Sequence, residues 1–272
     1  MEQMQILLAI LVLLPFVSAL LLALCGSDRM RRLIVYGSAG VLMISAVAFA
    51  VCFFSGENLQ LRFLQSGGII DHTMLALEAG FAVLITVLSI KYRRYYVAVL
   101  SIVQTVLTFV YELGGYKPAV QPYNLFADQL TVIMVLIIAV VGTLITVYAV
   151  GYMRDYHSHH KEYTDRRRFF FAMLYVFLGA MFGLVLSNSL LWLYFFWEIT
   201  SLVSFLLIGY TRTKEAVQNS FRALWMNLLG GLGFAAAIFW AGVRFGVTDL
   251  QSLILCDGKL VVPVWSIRRK QL

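Results

Sequence analysis

Charged residues are scarce in this chain. Only 13% of its 272 residues are charged and 61% are hydrophobic, whereas soluble domains have about a quarter charged and about half apolar residues. The composition therefore excludes an ordinary soluble domain. At about 20 apolar residues per crossing, the apolar content is enough for about eight transmembrane helices, with little chain left over. We predict an all-α, polytopic membrane bundle.

Residues that bind metals or nucleotides are also sparse. The three cysteines lie far apart and form no CxxC pair, which argues against an iron–sulphur cluster or a zinc ribbon. None of the four histidines falls in the middle of an apolar segment, so facing helices have no ligands for a haem. The chain has no Walker A sequence. We expect no catalytic residue, cofactor site or metal site in this chain, and thus no enzymatic active site.

Hydropathy divides the chain into eight predicted spans. They run over Met4–Leu24, Leu33–Phe54, Thr73–Ile90, Tyr95–Leu113, Phe126–Tyr148, Phe169–Leu186, Leu190–Tyr210 and Phe221–Phe245. The first span follows Glu2 rather than a basic stretch and has no small-residue cleavage pattern. We therefore expect a retained helix and not a removed signal peptide.

Basic residues are distributed unevenly between the predicted loops. The first, third, fifth and seventh loops hold 13 lysines and arginines, whereas the second, fourth and sixth hold only Arg62 and Lys117. Because basic residues in short loops stay in the cytoplasm, this pattern predicts that the N-terminus lies outside. We expect the membrane to be the inner membrane of a prokaryote. The net charge of +7 is then mostly topological, so we expect lipid and no nucleic acid around the chain.

The predicted spans suggest three regions. A four-span region covers residues 1–113 and includes an additional helix pair at 73–113, a second four-span region covers 114–245, and a tail covers 246–272. The tail contradicts the charge rule, because it would lie outside and yet is basic. A miscounted span, contact with other subunits or an interrupted gene would each explain it.

Glu198 is the main candidate functional residue, because charged residues inside spans are costly. It lies eight residues after Leu190, roughly 12 Å from the helix end. Tyr194 and Ser201, its i−4 and i+3 neighbours, place a hydroxyl on either side of it on one helix face. A carboxyl in hydrocarbon favours its neutral form, and an approaching cation restores the charged form. Such cycling suits a proton carrier; the alternative is a protonated glutamate that bonds a neighbouring helix.

Other polar residues have plainer interpretations. Glu78, in the third span, is a second candidate, although a small shift of the helix boundary would place it near the interface. Asp128 is predicted to cap the fifth span. We interpret His157, His159 and His160 as a solvated run in a polar loop rather than a metal site, because zinc requires a fixed ligand geometry.

The predicted eighth span carries further candidates. Arg222 opens it, and Gly230, Gly231 and Gly233 follow on the same helix. Small residues permit close helix approach, so we interpret the glycines as packing residues. Asn227 is a candidate for an inward-facing hydrogen bond.

Several segments resemble one family. The sequence YFFWEITSLVSFLLIGY at Tyr194–Tyr210 resembles the W-E-[LI]-T-S-x-x-S-[FY]-L-L-I-G signature of antiporter-like subunits of respiratory complex I (NADH dehydrogenase subunit 5-like), membrane-bound hydrogenases and Mrp antiporters. Phe126–Met153 is similar to the family's D-x-L…Y-S-x-x-Y-M helix, and Phe169–Asn188 to its F-F…M-x-x-L-V-x-[AS]-N helix. The resemblance covers about Asn124–Phe245 and implies that Glu198 is the family's proton-channel glutamate. We take Tyr194, Ser201, Glu78 and Arg222 as further proton-transfer candidates.

The chain also departs from the family pattern. Arg222 stands where many members have lysine, and Gly231 stands where complex I members have aspartate. We recognise no family counterpart for the helix pair 73–113. The chain ends before the broken helix whose lysine pairs with the glutamate in the family, and before the second half of the inverted repeat. We therefore expect the front half of a larger unit.

The resemblance implies a membrane subunit of a redox-driven complex, of the complex I or membrane-bound hydrogenase type, that translocates protons or exchanges sodium and protons. The implied partners are other membrane subunits and peripheral redox subunits. Those redox subunits would hold iron–sulphur clusters, with flavin or nickel–iron. Two alternatives stay open, namely a component of an Mrp-type Na⁺/H⁺ antiporter and a structural membrane anchor with no ion path of its own.

Overall fold

Long apolar helices dominate the structure, a computed structural model that describes residues 2–56, 61–65, 69–114, 123–247 and 249–255. In this described part, eight helical segments are long and apolar enough to cross a membrane. The helices are α1 (Glu2–Leu24), α2 (Asp28–Phe54), α3 (Ile69–Lys91), α4 (Tyr95–Leu113), α5 (Gln129–Ile137), α6 (Thr143–His159), α7 (Arg167–Leu186), α8 (Leu190–Ile208), α9 (Lys214–Phe245) and α10 (Leu250–Leu255). The prediction of an all-helical, multi-pass membrane protein is confirmed.

The fifth span consists of α5 and α6, which a π-helical turn at Ile138–Gly142 joins into one rod. Asp128 caps α5 as predicted, because its Oδ1 accepts hydrogen bonds from the backbone N (2.8 Å) and Oγ1 (2.9 Å) of Thr131. The predicted end at Tyr148 is wrong, since α6 continues to His159. Hydropathy falls in this last part of the rod, but the helix persists there with Tyr148, Tyr152 and Tyr156 stacked along one face.

A short β-ribbon was not predicted. Strand β1 (Leu61–Gln65) pairs antiparallel with β2 (Tyr123–Ala127), so the predicted start of the fifth span at Phe126 is wrong. The carbonyl of Asn124 in β2 accepts a hydrogen bond from the backbone N of Asn188, at 2.7 Å. The ribbon therefore lies against the turn between α7 and α8.

Two groups of helices build the bundle. In one group, α1 packs against α2 and α7, and α2 packs against α5 and α6; in the other, α3 and α4 pack together, α4 packs on α9, and α8 lies beside α9 and α3. The groups meet along α7 and α8. There, Gly183 of α7 leaves room for the ring of Phe196, which occupies the space that a Cβ atom would need.

The basic loops gather at one end of the bundle. Arg167 Nη1 lies 3.5 Å from Asp28 Oδ2, and Arg166 donates from Nη1 to the carbonyl of Tyr210 at 3.2 Å. The Tyr92 ring contacts Phe221 across 5.5 Å. The loops after α1, α3, α6 and α8 thus share one end, as the charge pattern requires, whereas the outside position of the N-terminus stays a prediction.

Two predicted span starts are too late. Helix α2 begins at Asp28 rather than Leu33, and α9 begins at Lys214 rather than Phe221, because charged first turns lower the hydropathy without ending the helix. Thr213 caps α9 by accepting a hydrogen bond from the Ala216 backbone N at 3.2 Å. Arg222 consequently lies in the third turn of α9 and does not open it.

Part of the predicted tail folds back onto the bundle. In α10, the backbone N of Leu250 donates to the carbonyl of Asn188 at 2.8 Å, beside the turn between α7 and α8. The basic residues of the tail lie outside the described residues. The division of the chain into three regions stays a prediction.

Asp165, in the loop between α6 and α7, makes the bundle's basic end sensitive to acid. Hydrogen bonds from Arg167 lower the pKa of Asp165 from 3.8 to about 2. Because the folded pKa is the lower one, the pairing contributes stability above about pH 4 and loses it as the pH falls toward about 2. The effect is small, since half of the Asp165 side chain is exposed.

We expect Asp165→Asn to flatten the loss of thermal stability between about pH 4 and pH 2 in detergent-solubilised protein. The exposed Asp155, 77% exposed at its side chain, supplies the control, and Asp155→Asn should retain the wild-type slope. An Asp165→Asn protein as acid-sensitive as the wild type over this interval contradicts the assignment.

Candidate functional site

Glu198 lies inside the bundle, on the face of α8 that looks toward α4 and α9. Its Oε1 accepts two hydrogen bonds, from Tyr194 Oη at 2.9 Å and from Gln104 Nε2 at 2.5 Å. Tyr194 and Gln104 are both fully buried, whereas Glu198 itself is partly buried. The predicted neighbour Tyr194 therefore bonds the carboxyl directly, and Gln104 adds a donor from another helix.

A narrow cavity opens beside this carboxyl, between α3, α4, α8 and α9. Its accessible volume is about 10 Å³, comparable to the volume that one water molecule needs. The polar residues that line it are Gln104, Glu198, Ser201 and Asn227. Ser201 thus lies at the cavity with Glu198, as its position on α8 predicted, and Asn227 faces inward. A carboxyl beside hydroxyl and amide groups, with room for a water, can exchange a proton with that water.

Glu78 lies deeper than the sequence indicated. Because α3 begins at Ile69, Glu78 is roughly 14 Å along the helix axis, and only 5% of the residue is exposed. Its Oε1 accepts a hydrogen bond from Thr108 Oγ1 of α4 at 2.5 Å. Glu78 therefore lies inside the helix bundle, beyond the first two turns of α3.

Arg222 is not brought to the site. It is exposed on α9 and does not line the cavity. Among the residues that the structure describes, no lysine, arginine or histidine lies within 4.0 Å of the Glu198 or Glu78 carboxyl. The site therefore joins the predicted residues Glu198, Tyr194, Ser201 and Asn227 with one new residue, Gln104, and does not include Arg222.

The packing interpretation of the glycines is wrong for two of the three. Cβ atoms added at Gly230 and Gly233 would meet nothing within 4 Å, whereas a Cβ at Gly231 would lie 3.1 Å from Gln104 Oε1. Only Gly231 lies on the buried face of α9, with Leu224 and Leu228. Because Gly231 has no side chain, the Gln104 amide has room beside α9 at the cavity.

The histidines divide into two kinds. His157 and His159 lie in the last turn of α6 rather than in a loop, and His160 follows as the C-cap residue of that helix. His159 and His160 are exposed, as a solvated run would be, but His157 is only 9% exposed at its side chain and bonds Tyr210 Oη at 2.8 Å. Within the described ranges, no group of three or more His, Cys, Asp or Glu residues could hold a metal ion.

One polar stripe was missed at the sequence level. Ser101, Gln104, Thr108 and Tyr111 lie on one face of α4, and each is at most 3% exposed. Their spacing of three, four and three residues in an apolar segment is the signal that could have found them, since it places four polar groups on one helix face. Two of these residues hold the Glu198 and Glu78 carboxyls.

Two family models match the chain. "NADH-Ubiquinone oxidoreductase (complex I), chain 5 N-terminus" matches residues 121–170, and "NADH:quinone oxidoreductase/Mrp antiporter, TM" matches residues 187–267. The second match contains Glu198, Tyr194 and Ser201. Together the two cover most of the stretch Asn124–Phe245 on which the sequence resemblance was based, except residues 171–186.

Curated relatives are also similar over this part of the chain. The Na(+)/H(+) antiporter subunit A1 of Staphylococcus haemolyticus (strain JCSC1435) is 30% identical over 161 residues, which is 59% of this chain and 19% of that protein. The subunit A1 of Staphylococcus aureus (strain JH9) is 26% identical over 200 residues, covering 67% of this chain and 24% of that protein. The chain thus spans less than a quarter of the length of these relatives.

A solved structure shares the fold. A chain of the membrane-bound sulfane sulfur reductase (MBS), an archaeal respiratory membrane complex, matches with a TM-score of 0.59 at 15% identity, over 92% of this chain and 40% of that chain. The sequence and structural matches agree with each other and with the tryptophan–glutamate signature on α8. By its sequence matches, the chain is similar to the antiporter-like membrane subunits of the complex I and Mrp superfamily.

Proposed function

We propose that this chain forms part of the ion path of a redox-driven membrane complex, of the complex I or membrane-bound hydrogenase type, and that Glu198 exchanges the translocated proton. The observation that carries the proposal is the Glu198 carboxyl, which is hydrogen-bonded to Tyr194 and Gln104 beside a water-sized cavity within a transmembrane helix. A buried carboxyl that only filled space would need no such cavity.

The local geometry supports both protonation states of Glu198. Tyr194 and Gln104 donate two hydrogen bonds to Oε1, which stabilise the ionised carboxylate. The apolar walls, formed by residues such as Ile85 and Leu228, penalise the charge and favour the protonated form. Because these two effects oppose each other, a modest change in the surroundings is enough to load or release the proton.

The fold match favours a respiratory complex as the setting. It covers 92% of this chain, and so extends beyond the stretch Asn124–Phe245 that the sequence resemblance covers. The partners would then be other membrane subunits and peripheral redox subunits, and those peripheral subunits would carry iron–sulphur clusters with flavin or nickel–iron. The membrane would be the inner membrane of a prokaryote.

A second candidate function is a component of an Mrp-type Na⁺/H⁺ antiporter. The names of the curated relatives favour it, since both are Na(+)/H(+) antiporter subunits. The two candidates differ in what drives transport: an electron donor in one case, and an imposed ion gradient in the other.

Inverted membrane vesicles that contain the complete complex test the proposal. Acidification of the vesicle interior is measured after addition of an electron donor and, separately, after imposing a Na⁺ gradient, for the wild type and for Glu198→Gln. Acidification that depends on the donor and on Glu198 supports the redox-driven path, and acidification that depends only on the Na⁺ gradient supports the antiporter. If Glu198→Gln vesicles with normal assembly acidify as fast as the wild type, the chain is a structural anchor.

A further inference from the structure

Helix α4 donates hydrogen bonds to two carboxyls inside the group formed by α3, α4, α8 and α9. On α4, Thr108 Oγ1 donates to Glu78 of α3 and Gln104 Nε2 donates to Glu198 of α8, each at 2.5 Å. Thr108 and Gln104 are four residues apart, so they lie on successive turns of one helix face, about 6 Å from each other. The two carboxyls therefore face the same side of α4, one from α3 and one from α8.

The surroundings of the pair are polar but carry no positive charge. Among the described residues, no cation lies within 4.0 Å of either carboxyl. The other titratable groups that face the pair are Tyr194 from α8 and Glu112 from α4, and neither can neutralise a carboxylate. Glu78 and Glu198 bond to residues on successive turns of α4, so their carboxyls lie near each other. Two carboxylates so placed in an apolar interior repel each other strongly, so one of them keeps a proton.

Gln104 also has an unused acceptor. Only 1% of the residue is exposed, and its Oε1 has no hydrogen-bond partner among the described residues. This oxygen faces Gly231 in the wall of the cavity. A buried acceptor without a donor is unfavourable, and a water in the cavity would donate to it while reaching Glu198 or Ser201.

We propose that the helix pair α3–α4 completes a two-carboxyl proton site, in which Glu78 and Glu198 share one proton. Thr108 holds the Glu78 carboxyl and Gln104 holds the Glu198 carboxyl, and a water bound in the cavity exchanges the proton with Glu198. When the proton leaves the Glu78 carboxyl for the Glu198 carboxylate, one O–H bond breaks and one forms, and the single negative charge moves to Glu78. The pair α3–α4 is then part of the ion path and not an added anchor. This inference rests on the proposed function of Glu198.

Transport by the intact complex in inverted vesicles is the first test. We expect Glu78→Gln to lower the rate of acidification at least tenfold, within the range of a lost acid–base group. The matched control is Glu215→Gln, which changes an exposed carboxyl in the first turn of α9 and should leave the rate unchanged. If Glu198→Gln stops transport while Glu78→Gln retains the wild-type rate, the shared site is overturned and the proposed function stands. If Glu198→Gln itself transports normally, the proposed function fails.

Two variants of Thr108 test the same site if the Glu78→Gln complex does not assemble. Thr108→Val removes the hydroxyl but keeps the shape of the side chain, and Thr108→Ser retains the hydroxyl. We expect a loss of at least fivefold for the valine variant and a rate within about twofold of the wild type for the serine variant. Equal rates for the two variants would overturn the role of Thr108 in the site.

Infrared difference spectroscopy of the same complex reads the shared proton directly. At neutral pH, subtraction of the Glu78→Gln spectrum from that of the wild type should reveal the C=O band of one protonated carboxyl, and so should subtraction of the Glu198→Gln spectrum. Either substitution removes the repulsion, and we expect the remaining carboxyl to ionise because it keeps its hydrogen-bond donor on α4. A protonated-carboxyl band that persists at full intensity in both variants would show two independent acids and overturn the proposal.

Discussion

Glu198→Gln is expected to lower ion translocation by about 100-fold or more without loss of assembly. The glutamine side chain has nearly the same size, and its amide oxygen can still accept the hydrogen bond from Tyr194 Oη, so the packing of α8 against α4 and α9 should persist. What it loses is the proton that a carboxyl can take up and release. Positioned acid–base groups contribute about 10²–10⁴-fold to proton-transfer rates. The measurement is the initial rate of vesicle acidification, normalised to the amount of assembled complex.

Glu198→Asp sharpens this test. It keeps the titrating group but withdraws it by one methylene from Gln104 and Tyr194, which hold Oε1 at 2.5 and 2.9 Å. We expect a rate between those of the wild type and of Glu198→Gln. An aspartate variant as inactive as the glutamine variant would show that the position of the carboxyl matters as much as its proton. Wild-type rates for both variants would remove Glu198 from the ion path.

Gly183→Val is expected to cause the largest loss of stability. A Cβ at position 183 would overlap the ring of Phe196, and that ring is buried between Trp192 and Phe195, with ring centroids 6.3 and 5.4 Å away. The ring therefore has no free space to enter. Overpacking costs about 1–3 kcal/mol of stability. Because valine is branched and the contact between α7 and α8 joins the two helix groups, we expect a cost near the upper end of this range. A cost of about 3 kcal/mol corresponds to roughly a 100-fold change in the unfolding constant.

Gly230→Val is the matched control for this substitution. Gly230 also lies in a transmembrane helix, but a Cβ there would meet nothing within 4 Å. The measurement is the unfolding midpoint in detergent, together with the amount of chain in the membrane. Similar losses for the two variants would mean that valine disturbs these helices by itself and that the contact between α7 and α8 is not the cause.

The sequence predicted the number and order of the spans, because hydropathy reports which segments enter lipid. It was less informative about where helices end. The first turn of α9 and the last turns of α6 are charged or polar and lie beyond the apolar stretch, so a hydropathy window cannot detect them. The β-ribbon was missed because its two strands are five residues long and pair across more than 50 residues of chain.

The site was predictable where it depends on a single helix. Tyr194 was found because it lies one turn from Glu198 on α8, a relation that the sequence spacing contains. Gln104 reaches the same carboxyl only because α4 packs against α9 and beside α8, which no local pattern specifies. Arg222 was predicted as a site residue but does not reach the site, since it lies on the side of α9 away from the face that carries Leu224 and Gly231.

The π-helical turn at Ile138–Gly142 determines which residues of the following helix α6 face the bundle. A π turn contains one residue more than an α turn, and each residue advances an α-helix by about 100° around its axis. Thr143 and Thr146 are both buried after the turn, whereas Val140 and Val141 within it face outward, at 40% and 51% exposure. A chain shortened by one valine here would close into a regular α-helix. Because the π turn absorbs this one extra residue, Thr143 to His159 would keep their faces in the shortened chain. In a chain of full length that formed an unbroken α-helix, the same residues would instead rotate by about a quarter turn, and the threonines would move toward lipid.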